Sequence, residues 1–264
     1  MSEITIAYLS WKKHDILEQT LKSHQENGLF DIISPENRII FFQEISQQDR
    51  NIADKYNLNT LGNKENIGIL NAFIELVQNC KTKYFIFSEN DFLLLKNDYN
   101  ISKTINDVCK ILENNPYSQI KLSNYKNPGF LYIKGGPEWL KQDQSNFKYK
   151  VESLSWTPNP KEFYPNMNIL NYNYEWFQFE SQDQCWSNHI YACNTNYLKE
   201  IVLPLLIHNR DNNKELDIKY QGVEDTLNLT DKIPNQSERI KELIVKHNMR
   251  KICSGGGNFF HNKK

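Results

Sequence analysis

Lys83-Tyr84-Phe85-Ile86-Phe87-Ser88-Glu89-Asn90-Asp91-Phe92 is a short apolar run that stops abruptly on two carboxylates. Tyr84 to Phe87 do not alternate with polar residues, so the run reads as a strand buried on both faces. Parallel strands covered by helices look like this, and in open α/β sheets ligands gather beyond the carboxyl ends of such strands. Glu89 and Asp91 would then stand at the C-terminal edge of a sheet. Two hard oxygen ligands there suit Mg²⁺ or Mn²⁺ carrying a substrate's phosphates. Acidic residues after a strand also serve simply as turn formers, and the neighbouring sequence has to decide between the two.

Working outward, Ile4 to Leu9 is a second apolar strand, followed by a helix over 14–24 with Ile16, Leu17, Thr20 and Leu21 on one face. Arg38 to Phe42 is a third strand, ending at Gln43-Glu44. A short helix over 49–56 follows, and Asn66 is placed to cap a further helix in which Ile67, Leu70, Ile74 and Val77 recur at helical spacing. This order predicts an α/β unit with a parallel sheet over residues 1–95. Right-handed crossovers bring the three strand ends, near Ser10, Glu44 and Glu89, to one edge.

Downstream lie a helix over 101–114 and a short strand over 119–122. Residues 123–184 are rich in Pro, Gly, Asn and aromatics with poor periodicity, which predicts a long functional loop or lid. Its Trp139, Trp156, Tyr164, Tyr172, Tyr174 and Trp176 are candidates for stacking on a sugar, or for core packing. Order returns with a strand over 187–193, helices over 195–206 and 236–247, and a helix opening at Gly222-Val223-Glu224-Asp225. Gly255 to Gly257 precede His261 and would let the chain fold over a bound phosphate, or form a polar tail. The linkers and periodicity give no reason to divide residues 1–264 into separate domains.

The 264-residue chain carries a net charge of −1, which gives no electrostatic case for nucleic acid or an anionic membrane as its main partner. Five cysteines without CxxC spacing argue against a disulfide framework or a zinc site. The absence of a basic-then-apolar N-terminal segment, or of any run long enough to span a bilayer, leads to the expectation of a cytoplasmic protein.

These residues together resemble family-2-type glycosyltransferases of the GT-A fold. The strand, small polar turn and helix of Ile4 to Ser23 are similar to the family's opening. Asn66-Ile67-Gly68, leading to Asn71, is similar to its second nucleotide-side motif. Ser88-Glu89-Asn90-Asp91 resembles its DxD motif with Glu in the first place, and Gly222-Val223-Glu224-Asp225 resembles its Glu-Asp motif. Gln43-Glu44 stands where the family has Asp-Asp, and the QxxRW-like motif of processive membrane enzymes is missing.

The resemblance implies one GT-A-like α/β domain with a mostly parallel mixed sheet. Residues 1–95 would form the nucleotide-sugar half and 96–264 the acceptor half. It implies a transferase that moves a sugar from a UDP- or GDP-linked donor to a glycan or other hydroxyl acceptor, with Mn²⁺ or Mg²⁺ and with inversion. Leu9, Ser10, Glu44, Gly68, Asn71, Ser88 and Glu89 would line the donor site. Asp91 would bind the metal with His261 as a late ligand. Asp225 would be the base, with Glu224 orienting the acceptor or bonding a backbone donor. Two other readings are a degenerate nucleotide- or sugar-binding module and a sugar-phosphate nucleotidyltransferase. The latter class carries a Gly-rich loop after its first strand, whereas this chain has Ser10-Trp11-Lys12-Lys13.

Overall fold

The computed structural model describes residues 3–95, 100–123, 132–133, 151–152, 166–181, 186–212, 223–255 and 259–261. Strand β1 (Ile4–Ser10) leads into α1 (His14–Glu26) and the short α2 (Leu29–Ile32). Strand β2 (Arg38–Phe42), α3 (Gln47–Lys55), β3 (Asn59–Gly62), α4 (Gly68–Asn79) and β4 (Tyr84–Glu89) follow. Then come β5 (Phe92–Leu94), α5 (Ile101–Asn114) and β6 (Ser118–Lys121), with β7 (Tyr132–Ile133) and β8 (Val151–Glu152) as a small separate pair. The chain returns through β9 (Asn168–Asn171), β10 (Glu175–Glu180) and β11 (Tyr191–Asn194). A helical turn Thr195–Tyr197 and a π-helical stretch Leu198–Val202 run into α6 (Leu203–Asn212). Helices α7 (Val223–Asn228) and α8 (Glu238–Asn248) and strands β12 (Lys251–Ser254) and β13 (Phe259–His261) complete it.

The main sheet has the order β3-β2-β1-β4-β11-β6-β12-β10-β9. Its first four strands are parallel and form the half that the apolar runs foretell. Beyond β4 the sheet is mixed: β11 pairs antiparallel with β4 and β6, and β12 pairs parallel with β6. Alternate side chains feed two cores. Ile6, Tyr8, Phe42, Tyr84 and Ile86 pack toward Leu17 and Leu21 of α1 and Ile105 and Val108 of α5. Ala7, Leu9, Phe41, Phe85 and Phe87 pack toward Phe73 and Val77 of α4, Leu205 of α6 and Leu243 of α8. A strand buried on both faces needs no polar alternation, which is why β1, β2 and β4 read as continuous apolar runs.

The expected irregular stretch 123–184 is corrected at its C-terminal end. There β9 and β10 form an antiparallel hairpin that joins the main sheet through β12. Buried Asp107 of α5 anchors this hairpin, accepting hydrogen bonds from Asn173 N–H (3.0 Å), Asn173 Nδ2 (2.7 Å), Tyr174 N–H (3.0 Å) and Trp176 Nε1 (3.1 Å). Trp176 is therefore core, and the Tyr174 hydroxyl accepts from Asn100 N–H. Trp139, Trp156 and Tyr164 lie outside the described residues. The strand expected over 187–193 begins only at Tyr191, and the helix expected from 49 starts two residues earlier on a Ser46–Asp49 capping box.

Candidate active site

The register places the ends of β1, β2 and β4 side by side: Ser10 lies opposite Phe42, and Leu9 opposite Glu89. Because β11 runs antiparallel to β4, with Tyr191 opposite Phe87, the residues just before it cross the same edge. The sheet thus brings four loops together: 10–13, 43–46, 89–92 and 186–190.

Two consecutive lysines, Lys12 (φ 57°) and Lys13 (φ 53°), adopt the left-handed conformation after β1, as does Glu44 (φ 54°) after β2. Such backbone strain in non-glycine residues collects at functional turns. Lys12 Nζ lies 2.8 Å from Glu44 Oε2, which draws the Glu44 pKa below its ordinary value. Trp11 stands half-exposed beside them. Next to Glu44, buried Gln43 holds the start of α4 with both ends of its amide. Nε2 donates to Gly68 O (3.0 Å), and Oε1 accepts from Ile67 N–H (2.8 Å). Asn66 lies one place outside the cap position, yet its Oδ1 still accepts from Gly68 N–H (2.9 Å). Gly68 has φ 80°, a value glycine adopts without strain. Asn71 donates to Ile67 O and accepts from Arg210 Nη1 at 3.0 Å, so α6 reaches across to this motif.

Leu9, Ser10 and Ser88 are buried beneath this edge, and the Ser88 hydroxyl donates to Glu89 O. Glu89 is partly buried, and its pKa is pushed up to about 8, by desolvation first and then by the negative charges of Asp91 and Glu224. Carboxylates from two distant parts of the chain therefore share one field. Glu224, at the start of α7, accepts a hydrogen bond from Asn188 N–H, while Asp225 is exposed. Asn228, a turn later, fixes α7 against the same segment: its Oδ1 accepts from Trp186 N–H (2.7 Å) and its Nδ2 donates to Trp186 O (3.1 Å). His261 is in β13, whose backbone pairs with β5 so that His261 stands opposite Phe92, next in the chain to Asp91.

Three other histidines have structural partners. His14 Nε2 meets Asp49 Oδ1 at 2.8 Å, and His208 Nε2 donates to Pro234 O. His247 Nε2 donates to Leu227 O, and its Nδ1 accepts from the Tyr197 hydroxyl at 2.7 Å. Gly255 has φ 129°, and a Cβ there would lie 2.8 Å from Glu175 O. It is a close-packing glycine at the end of β12. Sequence reasoning missed the 186–190 segment, the Gln43 clamp and Arg210. A buried glutamine closing an apolar strand was the one available signal.

Among the described residues, no three His, Cys, Asp or Glu side chains form a self-sufficient metal site. The donor set nonetheless fits a divalent ion that keeps substrate oxygens as ligands. Mg²⁺ and Mn²⁺ in phosphate-handling sites typically take one or two carboxylates and complete their shell with phosphate and water. Glu89 and Asp91 offer such a pair, and a cation would offset the burial, and after it the like charge, that raise the Glu89 pKa.

No family model and no curated protein matches the chain. Its architecture does match solved structures. S. aureus TarS 1–349 superposes with TM-score 0.50 at 14% identity, over 99% of this chain and 60% of that one. Glucosyl-3-phosphoglycerate synthase from Mycobacterium tuberculosis, in complex with Mn²⁺, UDP and glucosyl-3-phosphoglycerate, superposes with TM-score 0.50 at 10% identity, over 100% of this chain and 73% of that one. The fold is that of the GT-A glycosyltransferases, a mixed central sheet flanked by helices. The chain spans about 60% of the length of TarS 1–349.

Proposed function

We propose that this chain is a glycosyltransferase that moves a sugar from a UDP- or GDP-linked donor to a glycan or other hydroxyl acceptor, with a divalent cation and with inversion. The observation that carries the reading is that Glu89 and Asp91 close β4 at the C-terminal edge of the parallel half-sheet, where Glu224 is tied through Asn188 N–H to the segment entering the neighbouring strand β11. The synthase sharing this fold was crystallised with Mn²⁺ and UDP, which supports the choice of ligand class.

Asp91 would hold the cation, with His261 approaching from β13. Glu89 would contact the ribose or a metal-bound water. The cation, when bound, supplies positive charge to the diphosphate oxygens as the leaving group departs. Leu9, Ser10, Glu44, Gly68, Asn71 and Ser88 would line the nucleotide side, with Gln43 keeping the Gly68 turn in place. On the acceptor side, Asp225 would take the hydroxyl proton as that oxygen forms its bond to the anomeric carbon. The bond from that carbon to the diphosphate breaks at the same time, and the nucleoside diphosphate leaves. Glu224, tied to Asn188 N–H, would fix the orientation of α7.

The test is a screen of nucleotide-sugars with Mn²⁺, monitoring nucleoside diphosphate release by slow donor hydrolysis, followed by NMR of the product anomer. Release with one donor and an inverted product supports the proposal. Nucleotide binding by calorimetry without turnover of any donor would make the chain a binding module, and a retained configuration would overturn the role of Asp225.

A further inference from the structure

Strand β4 ends at Glu89 and β5 begins at Phe92, so Asn90 and Asp91 form the turn between two strands. That turn is held by side chains of α1. Thr20 Oγ1 donates to Asn90 O at 2.9 Å, and His24 Nε2 donates to Phe92 O at 2.8 Å. The carbonyls on either side of Asp91 are thus pinned by two residues four apart on one helix face. One turn further, Leu94 N–H donates to Ser23 Oγ (2.9 Å), and Asn27 Nδ2 donates to Leu94 O (2.8 Å).

The His24 ring is held on its other side too. A carbonyl can only accept, so Nε2 carries the proton and Nδ1 accepts from the Tyr8 hydroxyl, 2.6 Å away on β1. Phe30 and Phe259 meet the ring edge-on at 6.1 and 5.3 Å. Thr20, His24 and Tyr8 are all fully buried. Apolar side chains alone would dock a helix on this sheet, and polar groups in such a place must be fully bonded to be tolerated. Here the Thr20 and His24 bonds go to the backbone on either side of one carboxylate.

We propose that Thr20 and His24, with the Tyr8 hydroxyl bracing the His24 ring, are positioning residues that fix Asp91 for its cation. The inference rests on the proposed function, in which Asp91 is a metal ligand. Residues that orient metal ligands typically change metal affinity 10- to 100-fold when altered, roughly the size expected here.

The experiment is calorimetry of UDP and of GDP binding, with and without Mn²⁺, on wild type, Thr20→Val, Thr20→Ser, His24→Gln and Tyr8→Phe, with thermal unfolding of each. Thr20→Val keeps the shape of the side chain and loses the bond to Asn90 O. It should weaken Mn²⁺-dependent nucleotide binding about tenfold, while metal-free binding stays at the wild-type value. Thr20→Ser restores the hydroxyl and should restore affinity, while His24→Gln, whose amide can still donate to Phe92 O, and Tyr8→Phe, which leaves the His24 Nε2–H bond in place, should each lose less than Thr20→Val. A merely structural role would lower the unfolding temperature and leave the Mn²⁺ dependence intact, and that result overturns the inference alone. A wild-type protein whose nucleotide binding ignores Mn²⁺ overturns the functional reading and the inference with it. If Thr20→Val fails to fold, Thr20→Ala decides, because it removes the same bond to Asn90 O and alters no neighbour, and unchanged Mn²⁺-dependent affinity in it overturns the inference.

Discussion

Gln43 and Glu44 are adjacent and do opposite jobs. Gln43 is buried and spends its amide on the backbone of 67–68, while Glu44 is turned outward by a left-handed φ toward Lys12. Glu89 and Asp91 are both partly buried, with Ser88 buried beside them in the chain. If Asp91 holds the cation, Asp91→Ala should abolish Mn²⁺-dependent UDP or GDP binding in calorimetry while the unfolding temperature stays near wild type. Unchanged metal-dependent affinity would remove Asp91 from the site. The Glu224-Asp225 pair makes a second residue-scale prediction. Asp225→Asn keeps size and most hydrogen bonding but cannot accept a proton. It should lower kcat on the order of 10²-fold with nucleotide affinity unchanged. Glu224→Gln can still accept from Asn188 N–H, so it should raise the acceptor KM more than it lowers kcat. A wild-type transfer rate in Asp225→Asn would reject the base.

At the scale of elements, the sequence shows most where one residue type serves one purpose. The runs that became β1, β2 and β4 were legible because both faces are buried, so apolar content and strand coincide. Strand β3 was not: Asn59-Thr60-Leu61-Gly62 is a short, partly exposed edge strand, and Gly62 is there because a Cβ would lie 2.9 Å from Phe42 O. Strand β12, with only Ile252 and Cys253 apolar, reads as loop until β6 and β10 are seen on either side. The polar stripe of α1 was missed because its partners lie 67–71 positions away and are mostly main-chain groups, which carry no sequence signal. A second Tyr–His–carbonyl chain, Tyr197 to His247 to Leu227 O, secures α7 just after Glu224 and Asp225. Burial holds both histidines neutral, with the His24 pKa lowered to about 4 and that of His247 lowered well below its ordinary value, by burial first and then by the Arg250 charge. The unfolded chain protonates these rings near pH 6.5 and the folded chain does not. Stability is therefore independent of them well above that pH and falls as pH drops through 6.5 toward 4. For His24 alone the loss between pH 7 and pH 5 is about 2 kcal/mol. Urea unfolding of wild type and His24→Gln over that range should show the smaller pH slope in the variant, and equal slopes would mean that His24 titrates normally.

Across the whole molecule, the two halves of the sheet differ in what holds them. The parallel half is bound by apolar packing on both faces, whereas at the far edge buried Trp176 and Phe179 are joined by one carboxylate that collects the hairpin's turn donors. Asp107 of α5 is fully buried and satisfies four donors of the β9–β10 hairpin. From β10 the connection continues inward. Phe177 lies opposite Ser254, Gly255 packs on Glu175 O, and the chain then reaches β13, which pairs with β5 beside Asp91. The hairpin thus supports the segment that brings His261 to the site edge. Asp107→Ala leaves the buried Trp176 indole and the part-buried Asn173 and Tyr174 N–H groups without their acceptor. The cost should be on the order of 3 kcal/mol, since each buried donor left unbonded costs about 1–3 kcal/mol and water entry relieves part of the sum. Asp107→Asn keeps one acceptor oxygen and should lose less. The loss should also be local in hydrogen exchange. Amides of β10, β12 and β13 should exchange faster in Asp107→Ala, while those of β1 and β4, buried between two helical layers, keep wild-type protection. Uniformly faster exchange across both halves would show that the sheet opens as one unit, and unchanged β13 exchange would cut the proposed line of support from hairpin to site.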